Sequence, residues 1–151
     1  NKGGKLIFGE SVIRPDGLVH LPPRAIEEYQ IASEENVYLF TGSKVTGGFC
    51  VTRRGLLLPS KLGHILTETS ALLHYEAPEG CFLPYKGRSY CWTAISEAGE
   101  IRLTDEMMAF LRLEPGMRLL SIRSSDIAFT MGAKGPLLEK AEHFEGEIPV
   151  L

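Results

Sequence analysis

Alternating and helical hydrophobic positions divide the chain into two series of elements that follow one order. The first series reads as a strand over 6–13, the turn RPDG, a short strand LVHLP, and a helix over 22–30. A strand VYLFTG, a loop and a strand GFCVT complete it. The second reads as a strand YCWTAIS, the turn EAG, a strand EIRLT, a helix over 105–111, the turn EPG, and the strands MRLLSIR and DIAFTMG. Set side by side, GLVHLPPRAIEEYQI and GEIRLTDEMMAFLRL match position by position. Gly17 and Gly99, Leu21 and Leu103, Ile31 and Leu113, and Val37 and Leu119 are all 82 residues apart. Beyond the loop SKVTGG the offset becomes 80, pairing Phe49 with Phe129 and Gly55 with Gly135. The chain is an internal repeat.

Local chemistry supports these elements. Gly17 and Gly99 sit where a tight turn between strands needs a positive φ. Thr104 is placed to cap a helix whose first turn carries Asp105 and Glu106, which complement its dipole. Pro22 or Pro23 opens the matching helix of the first copy, where a missing N–H costs nothing. Leu21, Ile26, Val37, Leu103, Met108 and Leu119 are the expected core. Between the copies, SKLGHILTETSALL has the pattern of a short amphipathic helix and APEGCFLPYKG is rich in turn formers. After the second copy, GPLLEKAEHF echoes GLLLPSKLGHI. The expected organisation is a first repeat over 5–57, a connector over 58–86, a second repeat over 87–138 and an acidic tail over 139–151.

Composition narrows the chemistry. With 151 residues and 44% hydrophobic content the chain can bury one ordinary core. No apolar run approaches the roughly 20 residues that span a bilayer, so no membrane partner is expected. Cys50, Cys81 and Cys91 are odd in number and unevenly spaced, which predicts reduced thiols and a cytoplasmic chain. A zinc site drawn from His64, His74, Cys81 and Cys91 lacks the short ligand pairs such sites use, so neither metal nor other cofactor is expected. No nucleophile–base or paired-carboxylate spacing calls for catalysis, and the expectation is a protein that is not an enzyme. The net charge of −3 equals that of the tail, which holds four Glu and one Lys, leaving the rest neutral.

A strand, a Gly turn, a strand, a short helix, an L-x-P-G-like turn and two further strands resemble the SpoVT/AbrB-like swapped-hairpin domain. The second copy, ISEAGEIRLTDEMMAFLRLEPGMRLLSI, carries the pattern most clearly. The first keeps GLVHLP, its helix and IASEENVYLF, and the likeness spans most of the chain apart from connector and tail. It implies a mainly β fold with short helices: an AbrB-like β-barrel built from two tandem repeats as an internal pseudo-dimer. Whether repeats pair within one chain or exchange between two stays open, and a homo-oligomer is expected.

The resemblance also implies a DNA-binding transcriptional regulator. In such domains Arg and Lys near the turn and the helix start meet phosphates and base edges. Here Arg14, Arg24, Lys44, Arg53 and Arg54 of the first copy stand in suitable places. The second copy has Glu100 after its turn and Glu106 near its helix start, and Leu18 follows the first turn where Arg is usual. Neither repeat is basic in composition: five basic and five acidic residues lie in 11–57, five and six in 93–138. DNA contact through the first copy is therefore the first reading. A non-enzymatic oligomerisation, ligand-binding or protein-binding module is the second.

Overall fold

The computed structural model describes residues 6–41 and 46–133. The first repeat contains β1 (Ile7–Val12), β2 (Leu18–His20), α1 (Pro23–Tyr29), β3 (Asn36–Thr41) and β4 (Phe49–Thr52). The first repeat ends on α2 (Arg54–Leu57), and the connector contributes α3 (His64–Glu68), α4 (Ser70–Leu73) and β5 (Leu83–Tyr85). The second repeat holds β6 (Arg88–Ala94), β7 (Glu100–Arg102), α5 (Asp105–Leu111), β8 (Arg118–Arg123) and β9 (Phe129–Gly132). The expected connector helix is thus split at Thr69, whose extended backbone (φ −127°, ψ 82°) interrupts it, and the turn-rich stretch yields an additional strand.

Seven strands form one antiparallel sheet in the order β1-β8-β9-β4-β3-β6-β5, while β2 and β7 pair with each other. The first and last strands of each repeat therefore meet strands of the other. β1 pairs with β8, and β6 with β3. The pairing register is two-fold symmetric. Ser11 opposite Leu119 has its counterpart in Thr93 opposite Val37, and Glu10 opposite Leu120 in Trp92 opposite Tyr38. Val19 faces Ile101 and Cys50 faces Thr130, each pair being one residue and its own repeat partner. The symmetry axis passes through these two pairs. The sheet stays open and does not close into the expected barrel. β2 and β7 leave it to join each other, and β5 extends it beyond β6, so its end strands do not pair.

Strand β3 carries apolar side chains on both faces because both faces are covered. Val37 and Leu39 join the larger core with Val19, Leu21, Ile101, Leu103, Leu119 and Phe129. Tyr38 and Phe40 belong to a second cluster roofed by Leu57 of α2 and by Ile65, Leu66 and Leu72 of the connector helices. Five of the six expected core residues are buried. Ile26 is only partly buried: Ala25 and Tyr29 form the inner face of α1, and Ile26 lies instead beside Gly99. At α5, Thr104 caps as expected, its hydroxyl accepting the Met107 amide at 3.1 Å.

The repeats are also tied by side chains. Tyr29 donates its hydroxyl to the Ser125 carbonyl at 2.6 Å, and Arg123 of β8 makes a two-pronged ion pair with Glu28 of α1. Among the described residues no helix is long and apolar enough to cross a membrane.

Candidate nucleic-acid interface

Each repeat places its turn residues against the other repeat. In the first turn the Gly17 amide donates to the Arg14 carbonyl at 2.8 Å, and the Asp16 carboxylate accepts the Leu18 amide at 3.1 Å. Gly17 in turn accepts the Leu103 amide at 2.8 Å, while Gly99 accepts the Leu21 amide at 2.9 Å. The β2–β7 ladder is therefore clamped at both ends, with Val19 and Ile101 buried beneath it. By the period-two alternation of strands, Leu18, His20, Glu100 and Arg102 occupy the opposite face.

On that outer face the charges are mixed. The Arg14 guanidinium is half exposed and lies 4.0 Å from Glu100. Arg102 donates to the Asp16 carbonyl and carboxylate, each at 3.0 Å. The Leu18 amide, followed by Arg102, holds the Asp16 carboxyl below the usual carboxylate range. Exposed pairs of this kind contribute little to stability, so both arginines can exchange their carboxylate for another anion at small cost. Arg24 is exposed at the start of α1 and makes no ion pair with a described residue.

Arg53 and Arg54 are engaged elsewhere. Arg53 donates from Nε to the Tyr29 carbonyl at 2.8 Å and from Nη1 to Glu34 at 2.6 Å. The same Glu34 oxygen accepts the Gly55 amide at 3.0 Å, so Arg53 fixes the end of α1 to the start of α2. Arg54 donates to the Leu73 carbonyl at 2.9 Å and stacks 4.9 Å from the centre of the Tyr75 ring. Arg53 and Arg54 are thus held by partners within the fold, whereas Arg14 and Arg24 stay exposed; Lys44 lies outside the described residues. Arg102 lies two residues beyond Glu100, which follows the turn, so the turn pattern alone does not mark it. The alternation in EIRLT, with Ile101 and Leu103 inward, marks it as outward-facing.

The thiols have separate environments. Cys50 and Cys91 are buried and Cys81 is exposed. Burial pushes the Cys50 thiol up and the Cys91 thiol to about 12, so both stay protonated at neutral pH and act as small apolar side chains. Among the described residues no group of three or more His, Cys, Asp or Glu could hold a metal ion. Comparison with protein-family models, curated proteins and solved structures gives no match.

Proposed function

We propose that the chain is a SpoVT/AbrB-like swapped-hairpin unit, folded as an internal pseudo-dimer, that regulates transcription by binding DNA through its first repeat. The two-fold pairing register carries this reading, because it sets the β2–β7 ladder on the symmetry axis with Arg14 on its rim. Arg14 and Arg24 are the proposed contacts, with Lys44, which lies between β3 and β4 in sequence. Arg53 and Arg54 position the framework behind them. One contacting half per chain implies that two chains associate to read a symmetric site.

The test is fluorescence anisotropy on genomic DNA fragments at two salt concentrations. Arg14→Ala and Arg24→Ala each weaken binding, and each lowers the slope of log affinity against log salt by about 1. Arg112→Ala and Arg118→Ala in the second repeat have smaller effects. Unchanged thermal unfolding in the Arg14, Arg24 and Arg112 variants separates contact from fold, whereas Arg118→Ala also removes the partner of the buried Glu10 carboxylate and lowers stability.

The carboxylates of Glu100 and Asp16, beside Arg14 and Arg102, favour a second reading as an assembly or ligand-binding module. Absence of DNA binding at low salt on every fragment would leave that module as the function.

A further inference from the structure

A group of positive charges without ion-pair partners among the described residues lies where the connector meets the start of the second repeat. A cleft of about 280 Å³ opens between the β5–β6 hairpin and the start of α3, lined by Lys61, His64, Tyr85, Lys86, Arg88 and Tyr90. Three of these carry positive charge, and no carboxylate lines the cleft. None of the three makes an ion pair with a described residue.

Its walls are fixed by specific contacts. The Tyr85 hydroxyl donates to Glu68 of α3 at 2.7 Å, which ties the hairpin to the helix and occupies that carboxylate oxygen. Tyr90 is buried against Phe40, ring centres 5.3 Å apart, and Arg88 lies 5.6 Å from the centre of the Phe40 ring. The Lys86 ammonium sits 5.3 Å from the centre of the Tyr85 ring. Aromatic faces thus support the cations without neutralising them.

The hairpin turn places Lys86 at the cleft. Lys86 and Gly87 both have positive φ, 48° and 83°, the geometry of a two-residue turn that ordinarily takes Asn or Gly at its first position. Lysine there accepts a steric cost that asparagine largely avoids, and its ammonium borders the cleft.

We propose that this cleft binds the phosphate group of a small phosphomonoester. Lys61, Lys86 and Arg88 meet the dianion, and Tyr85 offers an aromatic wall to the rest of the molecule. The volume is at the small end of ligand sites and suits a molecule no larger than a mononucleotide. The site is independent of the DNA reading, since it uses none of Arg14, Arg24 or Lys44.

The test is isothermal titration calorimetry on the full chain with inorganic phosphate, ribose 5-phosphate and adenosine 5′-monophosphate as probes. Saturable binding of at least one probe is expected. Tighter binding of adenosine 5′-monophosphate than of ribose 5-phosphate identifies a nucleotide, and equal binding identifies the phosphate group alone as the recognised element. Lys86→Asn keeps a residue suited to the turn while removing the charge, so thermal stability is retained and affinity falls about tenfold, the loss of one charge-assisted contact. Exposed Lys61→Ala acts in the same direction, whereas Arg112→Ala, outside the cleft lining, leaves binding unchanged. Failure of all three probes to bind, or parental affinity in both Lys86→Asn and Lys61→Ala, overturns the proposal.

Discussion

Gly17→Ala lowers the stability of the chain by about 3 kcal/mol or more, whereas Gly87→Ala costs about 1 kcal/mol. Gly17, Gly99 and Gly87 have nearly the same backbone, with φ of 86°, 83° and 83°. The cost of holding alanine in the left-handed region is therefore common to all three. What differs is the space a methyl group meets. At Gly87 nothing lies within 4 Å. At Gly99 the methyl meets the tip of the Ile26 side chain at 2.1 Å, which can swing aside. At Gly17 it meets the Leu103 carbonyl oxygen at 2.0 Å, a backbone atom that moves only if the two repeats separate locally. Urea unfolding of the three variants gives the order Gly17, Gly99, Gly87 from most to least damaged. Equal losses at the three positions would show that the close approach of the repeats at Gly17 is not what the glycine serves.

Phe129→Ala costs about 3–5 kcal/mol, the range for deleting a fully buried aromatic ring. Phe129 of β9 is inaccessible to solvent, and its ring centre lies 6.2 Å from that of Phe8 and 5.3 Å from that of Tyr29. Both neighbours come from the first repeat, so the cavity opens at the seam between the copies. A loss of this size is a large part of the roughly 5–15 kcal/mol that stabilises a typical domain. Calorimetry should show one transition moved to lower temperature, because the repeats share this core and melt together. Phe110→Ala, which removes a half-exposed ring stacked on Phe82, should shift it much less. Two separated transitions in Phe129→Ala would mean that each repeat melts on its own.

The repeat was legible in the sequence because its spacing survives divergence of the residues themselves. Val37 and Leu119, or Phe49 and Phe129, are each fully buried at the offset that matched them. The helix over 105–111 was readable to the residue, since Thr104 and the acidic first turn mark its start. Which strand pairs with which was not legible. β1 and β3 are both apolar strands of one repeat, and nothing local tells β1 that its partner is β8, more than 100 residues away. The open sheet escaped reading for a related reason: β5 comes from a stretch whose Pro and Gly content speaks of turns, and only the presence of β6 makes it a strand. The arginines show the same limit. Arg53 and Arg54 looked like free cations in sequence. Their partners, the Tyr29 and Leu73 carbonyls and Glu34, are brought to them only by the fold.

The claim that the two copies form one unit is tested most directly by producing residues 5–57 alone. In the full chain β1 and β3 draw their outer ladder bonds from β8 and β6, and β2 draws its bonds from β7, so an isolated copy leaves those edges unpaired. A single copy is also too short to bury a sufficient core by itself. Circular dichroism and size-exclusion chromatography should find residues 5–57 unfolded or self-associated, with structure recovered on adding residues 87–138. A folded monomer of residues 5–57 with a cooperative thermal transition would contradict the account.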